Sequence, residues 1–310
     1  MSSVIHVVLP IFALILLGFL GRRTGRLGEN VASELNLFVV WLCLPALLFQ
    51  ATASATLQQI WHPGFVAVTM LGTMGVFAAT LLYRLRSPRH LIDASIDGLG
   101  AAYANTGYIG IPLCLLVFGH DGLEAALIAS LIVVCVLFAV AVVCIEVGLQ
   151  AEKTLHHALG KVAVALLKNP LVVSPLLGVL WAVRGTAVPE PLGKLLQLLG
   201  DATTPCALVS LGAFLAQKQA GEGRRPAVGL VSIKLFVHPL ITWWLAFHVF
   251  KLPPLWAEAA LLLSALPTGT GPYMLAELYR REASVVSHTI LLSTLGSLVT
   301  LSAMLFWMKG

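Results

Sequence analysis

Five side chains that could bind a small ligand lie in or beside two short segments that are rich in glycine and proline. Asn105 and Tyr108 belong to the first segment, and Thr268, Thr270 and Tyr273 belong to the second, about 160 residues later. An amide both donates and accepts hydrogen bonds, threonine offers a hydroxyl, and tyrosine adds an amphipathic ring. Groups of these types can surround a small organic ligand, so we expect a substrate-binding site.

The glycines and prolines of the two segments predict an irregular backbone. Glycine frees the backbone and proline removes a hydrogen-bond donor, so a continuous helix is interrupted. The residues concerned are Gly107, Gly110 and Pro112 in the first segment and Pro267, Gly269, Gly271 and Pro272 in the second. Inside a membrane, an irregular backbone is tolerated where it is buried in protein or lines a wet cavity. We therefore include these residues in the predicted site.

Each break also exposes the ends of two half-helices. The half-helix after the break presents free N–H groups and the positive end of its dipole, which suit an anion. The half-helix before the break presents free carbonyl groups, which suit a cation. The alternative is that glycine and proline only kink two packed helices. We favour a shared site because interrupted spans at corresponding positions mark the binding site of many transporters.

Three ionisable residues lie inside apolar stretches. A charge is costly there, so each of these residues is by default a candidate for a functional role. Lys234 either offers its charge to an anion in the cavity or extends its stem to the membrane interface. His238 lies one turn further on the same helix face and is either part of the site or a packed, hydrogen-bonded residue. Asp201, just before Pro205, either takes part in ion coupling or caps the backbone at the proline kink.

The composition is that of a membrane protein. The 310 residues are 58% hydrophobic and 11% charged, whereas soluble domains carry about 25% charged residues. Ten apolar stretches are long enough to cross a bilayer, which takes roughly 17 to 25 residues. They are 4–21, 31–53, 63–83, 92–118, 123–149, 169–185, 192–217, 227–250, 255–279 and 284–308. We predict one all-α membrane domain with ten transmembrane helices, of which the fourth and ninth are broken and cross near the midplane.

Basic residues are concentrated in alternate loops. They follow spans 1, 3, 5, 7 and 9, whereas the opposite loops hold few. The positive-inside rule therefore places both chain termini outside. The net charge of +5 is thus an orientation signal and not a nucleic-acid surface. The predicted location is the lipid bilayer of a bacterial inner (plasma) membrane.

The sequence contains an internal repeat. A shift of 160 positions superposes, without a gap, Pro10 on Pro170, Gly18 on Gly178, Pro45 on Pro205 and Pro112 on Pro272. Two repeats of five spans follow, about 4–149 and 169–308, joined by a cytoplasmic linker, 150–168. Because five is odd, the repeats have opposite orientations, which suits alternating access to one site.

Signatures of catalysis and of cofactor binding are missing from the sequence. It contains neither a His-Glu-x-x-His zinc motif nor a Gly-x-x-x-x-Gly-Lys phosphate loop. No nucleophile stands out beside a base. We therefore predict that the chain is not an enzyme and uses no metal and no cofactor.

Three motifs resemble those of the auxin efflux carrier family, which includes plant PIN-type carriers and bacterial permeases linked to malonate and malate. Asn105-Thr-Gly-Tyr-Ile-Gly-Ile-Pro112 is similar to the family's span 4 signature. Leu266-Pro-Thr-Gly-Thr-Gly-Pro272 is similar to the counterpart in span 9, and Lys234-Leu-Phe-Val-His-Pro239 to the span 8 motif. The resemblance covers essentially the full length. The linker 150–168 is short, as in the bacterial members.

The resemblance implies a scaffold bundle of spans 1, 2, 6 and 7 and a transport bundle of spans 3–5 and 8–10. It further implies elevator-like movement, anionic organic substrates and a homodimer formed through the scaffold helices. We expect a secondary transporter, a permease or efflux carrier, of small organic anions such as carboxylates. The alternatives are a sodium- or proton-coupled symporter of related fold and an anion channel.

Overall fold

The computed structural model describes residues 2–54, 62–86, 90–149, 164, 167–168, 170–217 and 224–309. Most of the predicted linker 150–168 lies outside these residues. No β-strand occurs in the described ranges, and their single bridge of extended backbone joins Ala104 to Thr268. The all-helical prediction is confirmed.

Twelve helices follow one another in the described residues. In chain order they are α1 (Ser2–Arg23), α2 (Val31–Ser54), α3 (Pro63–Leu85), α4 (Leu91–Ala102), α5 (Thr106–Phe118), α6 (Asp121–Leu149), α7 (Pro170–Val183), α8 (Glu190–Leu215), α9 (Arg225–Val249), α10 (Pro254–Ser264), α11 (Gly271–Leu278) and α12 (Ser284–Lys309). Six of these described helices, α2, α3, α6, α8, α9 and α12, are long and apolar enough to cross a membrane.

Proline reshapes two of the long helices without ending them. In α2 the turn Val39–Cys43 is π-helical and is followed by Pro45. In α9 the π-helical turn Ile233–Val237 is followed by Pro239. Proline has no N–H group, and its ring crowds the carbonyl four residues earlier. A wider π-helical turn relieves this contact, so each apolar stretch stays one helix.

The two predicted interruptions are present, but they are shorter than the sequence motifs. α4 ends at Ala102 and α5 begins at Thr106, so the segment 107–112 is helical and the expectation of an irregular backbone there is wrong. α10 ends at Ser264 and α11 begins at Gly271. Pro272 is tolerated at the start of α11 because the first N–H groups of a helix have no intrahelical partner, and Pro112 follows the π-helical turn Thr106–Gly110 of α5. Both motifs therefore restart a helix as well as break one.

Two helix pairs pack with their backbones in contact. A Cβ atom added to Gly18 of α1 would lie 2.1 Å from the carbonyl oxygen of Val209 in α8. A Cβ atom added to Gly178 of α7 would lie 2.6 Å from the carbonyl oxygen of Phe49 in α2. Small residues allow such close approach in lipid, where the hydrophobic effect does not drive helices together. Because α8 also contacts α2, α1, α8, α2 and α7 form one group, with α8 and α2 in its middle.

The remaining helices pack around the two breaks. α4 contacts α3, α6 and α11, whereas α9 contacts α10 and α12. Large apolar side chains from both breaks and their neighbours are fully buried there, among them Leu99, Ile109, Leu262 and Leu266. This core holds the two breaks against each other.

Replacing Gly212 of α8 with leucine should destabilise the protein. A Cβ atom at this position would lie 1.9 Å from the carbonyl oxygen of Ile15 in α1. We expect the free energy of unfolding to fall by about 3 kcal/mol, measured as a lower melting temperature of the purified protein in detergent. Gly75→Leu on α3 is the control, since no atom lies within 4 Å of its added Cβ. Equal melting temperatures of the two variants would contradict the close contact of α1 and α8.

Candidate functional site

The two breaks are joined by backbone hydrogen bonds. The Asn105 N–H donates to the Pro267 carbonyl over 2.9 Å, and the Gly269 N–H donates to the Tyr103 carbonyl over 3.0 Å. These bonds flank the antiparallel bridge between the breaks. A backbone N–H group of each break thus finds its hydrogen-bond partner in a carbonyl group of the other break. The structure therefore brings the two predicted segments together.

Thr268 anchors the second break from two sides. Its hydroxyl donates to the carbonyl of Gly100 in α4 over 2.8 Å, and its N–H donates to the hydroxyl of Ser293 in α12 over 3.0 Å. The side chain is fully buried. The Thr268 hydroxyl, which the sequence analysis assigned to a ligand, is thus engaged in holding α4 and the second break together.

Asn105 carries an unpaired hydrogen-bond donor at the first break. Its Oδ1 accepts from the Tyr108 N–H over 3.3 Å and caps the start of α5. Its Nδ2 is buried and has no hydrogen-bond partner among the described residues. Leaving a buried donor unpaired costs about 1–3 kcal/mol. An acceptor oxygen supplied by a ligand would remove this cost.

Two cavities adjoin the breaks. The smaller has a volume of about 110 Å³, and both breaks line it with residues that include Asn105, Gly107 and Gly271. The larger, of about 570 Å³, lies between the breaks and the middle helices α2 and α8. Tyr108 and Thr270 border both cavities. The two cavities therefore share a wall made of residues from both breaks.

The walls of the larger cavity carry neutral polar groups. Ser33 and Asn36 of α2 and Ser210 of α8 line it, together with Gln217. The Tyr108 hydroxyl donates a hydrogen bond to Oδ1 of Asn36. Sequence reasoning included none of these four residues in the predicted site. In the sequence, each of them is marked only by being a polar residue in or beside an apolar stretch.

An aromatic contact also borders the larger cavity. The ring of Tyr273 in α11 meets the ring of Phe214 in α8 edge to face, with 4.9 Å between the centroids. Both residues line the cavity. Tyr273, which was predicted to line the site, thus forms an aromatic part of the cavity wall together with Phe214 of α8.

Lys234 lies behind the second break. It is fully buried, its Nζ donates to the Ser264 carbonyl over 2.5 Å, and Nζ is 3.3 Å from Nδ1 of His238. Ser264 is the last residue of α10. A helix C-terminus carries a partial negative charge that favours a cation. The side chain does not reach the protein surface, and Lys234 is not among the residues that line the two cavities.

His238 and Asp201 also lie outside the two cavities. His238 is buried and borders a separate space of only about 10 Å³, together with Ser264 and Thr106. Asp201 is exposed on α8. The structure therefore places neither of them where it would contact a ligand in the larger spaces.

The glycines of the two motifs differ in their surroundings. A Cβ atom added to Gly271 would lie 2.6 Å from the Tyr103 ring, and one added to Gly269 would lie 3.0 Å from it. A Cβ atom at Gly110 would lie 2.8 Å from a leucine side chain, whereas nothing lies within 4 Å of one at Gly107. The prolines after them are buried, Pro112 just behind the π-helical turn Thr106–Gly110 of α5 and Pro272 in the first turn of α11.

Ion pairs hold the start of α4. The Arg281 guanidinium donates to both oxygens of Asp93, with Nε–Oδ1 and Nη2–Oδ2 distances of 2.8 and 2.6 Å. Hydrogen bonding to Asp93 raises the pKa of Arg281, and burial opposes it. In addition, Nε of Arg84 in α3 donates to the buried Asp97 over 2.7 Å. α4 is thereby tied to α3 and to the loop after α11.

Long apolar helices and two interrupted helices that meet beside cavities define this chain as a membrane transport protein. The chain belongs to the membrane transport protein family, whose sequence profile matches residues 3–305. The predicted resemblance to auxin efflux carriers is confirmed, and the protein is a transporter and not an enzyme.

The relatives lie in bacteria, archaea and plants. A Rhizobium meliloti protein named "Putative malonate transporter" is 31% identical over 316 residues, which cover 100% of this chain and 97% of that protein. An uncharacterized transporter of Methanothermobacter thermautotrophicus is 28% identical and covers 95% of each chain. Auxin efflux carrier component 8 of Arabidopsis thaliana is 28% identical over 147 residues, covering 46% of this chain and 40% of that protein.

Alanine at Gly271 should disrupt the site, whereas alanine at Gly107 should be tolerated. The added methyl group meets the Tyr103 ring in the first case and open space in the second. Overpacking costs typically about 1–3 kcal/mol, so Gly271→Ala should lower both the melting temperature and uptake by whole cells. Similar uptake by the two variants would show that Tyr103 is free to move away.

Replacing Lys234 with methionine should slow transport without weakening substrate binding. The maximal rate should fall because the carbonyl end of α10 loses its cation. The half-saturation concentration should stay within about twofold, since Lys234 does not line either of the two cavities. Lys234→Arg keeps the charge and is expected to retain part of the rate. A tenfold rise in the half-saturation concentration of the methionine variant would instead place the ammonium group at the substrate.

Proposed function

We propose that this chain is a secondary transporter of small organic anions, above all carboxylates. The observation that carries the proposal is the unpaired Nδ2 donor of Asn105, buried beside the cavity of about 110 Å³ that both breaks line. A carboxylate oxygen accepts a charge-assisted hydrogen bond from such a donor. The starts of α5 and α11, at Thr106 and Gly271, line the same cavity. Their dipoles favour negative charge there.

The described lining of both cavities contains no charged side chain. An anion in this site would be held by an amide, hydroxyl groups and helix dipoles. Such binding is weaker than an ion pair with a buried lysine or arginine. It suits a carrier, since the substrate must leave the site in every cycle.

The proposed architecture has ten transmembrane spans in two inverted repeats, with α4–α5 and α10–α11 as the two broken spans. A repeated helix contact supports it. Gly18 approaches the Val209 carbonyl, and Gly178 approaches the Phe49 carbonyl. Residues 18 and 178, and likewise 49 and 209, are 160 positions apart. Reciprocal contacts of this kind are expected when two halves are related by a pseudo-two-fold axis.

The proposed movement is an elevator-like shift of the helices around the breaks against α1, α2, α7 and α8. The larger cavity supports it, because residues of the breaks and of α2 and α8 face each other across this space. The hydrogen bond from Tyr108 to Asn36 connects the two groups. Alternating access would require this hydrogen bond to break and form again during each transport cycle.

The positive-inside rule and the relatives guide the remaining assignments. The basic loops support a topology with both termini outside a bacterial inner membrane, and we retain a homodimer through the scaffold helices as part of the proposal. The name of the Rhizobium meliloti relative makes malonate and similar dicarboxylates the first substrates to test.

The deciding experiment is counterflow in proteoliposomes with a panel of mono- and dicarboxylates, with and without sodium and pH gradients. Saturable exchange of a carboxylate is the expected result. Uptake that requires sodium or a proton gradient would identify a coupled symporter. Conductance of about 10⁶ ions per second without saturation or counterflow would identify an anion channel and overturn the proposal.

Asn105→Asp should weaken anion binding while leaving the fold intact. The carboxylate keeps the oxygen that caps α5, but it replaces the Nδ2 donor with a negative charge that repels the substrate. The half-saturation concentration should rise at least tenfold, about 1.4 kcal/mol, with an unchanged melting temperature. Asn30→Asp, the same substitution at the N-cap position of α2, is the control and should transport normally. Normal saturation in Asn105→Asp would remove this amide from the site.

A further inference from the structure

We propose that one buried water molecule binds in the space of about 10 Å³ that His238 borders. It accepts a hydrogen bond from the His238 imidazole and donates to the hydroxyl groups of Thr69 and Thr242. This water belongs to the wall of the proposed site, and its binding does not depend on what the site transports.

Two threonine hydroxyls at this space lack a hydrogen-bond partner. Oγ1 of Thr69 in α3 and Oγ1 of Thr242 in α9 are buried, and neither bonds to any of the described residues. A threonine inside a helix commonly bonds to the carbonyl one turn earlier, as Thr289 does to Val285. Because an unpaired buried hydroxyl lowers stability, and because both threonines line the same space, one ligand inside it would satisfy both.

His238 adds an N–H donor at the same place. Its Nδ1 lies 3.3 Å from Nζ of Lys234. An ammonium group can only donate, so Nδ1 accepts and the hydrogen of the neutral ring is assigned to Nε2. A Cβ atom added to Gly72 of α3 would lie 2.9 Å from Oγ1 of Thr242 and 3.9 Å from Nε2 of His238. The Nε2–H group and the Thr242 hydroxyl therefore lie close together beside α3.

The space has the size and the polarity of a site for a single water molecule. Its volume is about 10 Å³, and a buried water needs roughly 10–15 Å³ and about three polar partners. The oxygen of a water accepts from the Nε2–H group of His238, and its two hydrogens are donated to Thr69 and Thr242. Thr73 and Thr106 add two further hydroxyl groups to the lining. One water therefore matches the number and the direction of the hydrogen bonds on offer.

A cation such as sodium fits this space poorly. The Nε2–H group of His238 is a donor and repels a cation, and the described residues that line the space include no acidic side chain. The carbonyl of Ser264, which also belongs to the lining residues, already accepts from the positively charged Nζ of Lys234. A cation would be repelled by this ammonium group. The chemistry of the lining thus favours a neutral ligand.

The water would connect two helices at the wall of the first break. Thr69 belongs to α3, whereas His238 and Thr242 belong to α9. Ala104 and Thr106 of the first break line this space and also the cavity of about 110 Å³. They form the wall between the two spaces. A water bound to α3 and α9 would therefore fill the space behind this wall and hold the first break in position.

The first test is the melting temperature of the full chain in detergent. Thr69→Val and Thr242→Val keep the side-chain shape but remove one partner of the water, so each should lower the melting temperature by about 2–4 °C. The double variant should lose less than the sum, because both residues hold the same water. Thr203→Val on α8 is the matched control. Its Oγ1 is also buried without a partner among the described residues, and it lines none of the three spaces. This control should melt at the same temperature or higher.

The second test detects the water directly, by solid-state NMR of the full chain in lipid vesicles with isotope-labelled histidine. Magnetisation should pass from water protons to Nε2 of His238, whose signal is identified by its loss in His238→Gln. The transfer should be strongly reduced in Thr69→Val and Thr242→Val and unchanged in Thr203→Val. If Thr242→Val does not fold, Thr242→Ser, which keeps the hydroxyl group, should retain the transfer.

Several results would overturn the proposal. An unchanged or higher melting temperature of either valine variant would show a dry space, in which removal of an unpaired hydroxyl is favourable. Additive losses in the double variant would exclude a shared ligand, and a wild type without transfer to His238 would exclude the water. The melting temperature is also compared in sodium and in choline chloride. A loss of stability in choline for the wild type, but not for Thr242→Val, would identify the ligand as a cation.

Discussion

A helix that is interrupted inside a bilayer must find partners for its free backbone groups within the protein, because lipid offers none. Here each break supplies them to the other, through the bonds from Asn105 to Pro267 and from Gly269 to Tyr103. Neither break would be stable without its counterpart. This mutual dependence explains why the helices around them share one core and why the cavities form where the two breaks meet.

Fixed charges complete the arrangement at the helix ends. Lys234 places an ammonium group at the carbonyl end of α10, and Asp93 in the first turn of α4 pairs with Arg281. Each charge has the sign that the local helix dipole favours. The cation that α10 requires is thus built into the chain and does not occupy the cavities. The hydrogen-bond donors that line the cavities beside the breaks are therefore neutral, and a neutral donor can release the ligand that it binds.

Much of this architecture could be predicted from the sequence, because it follows from local chemistry. Apolar stretches marked the helices, and glycine and proline marked both breaks. Contacts between distant segments could not be predicted. Arg281 and Asp93 are 188 residues apart, and no local pattern identified Ser264 as the partner of Lys234. Thr268 was expected to face a ligand, because a hydroxyl can bond either to a ligand or to the backbone. Only the fold shows that it bonds to the carbonyl of Gly100. Sequence reasoning missed Ser33, Ser210 and Gln217 because a cavity forms only when distant segments pack together, and its lining residues leave no local pattern.

The repeat explains the common backbone, whereas the chemistry lies where the repeats differ. Gly18 and Gly178 make equivalent contacts, but Asn105 corresponds to Ala265 and Lys234 corresponds to Met74 at the same spacing of 160 residues. Only the first break therefore carries an amide donor, and only the second has a lysine at the end of the preceding half-helix. Under the proposed function, a ligand between the breaks would meet two similar helix dipoles but one amide. The paired breaks would then provide the anion-binding end of the site, and the side chains that differ between them would fix the orientation of the substrate.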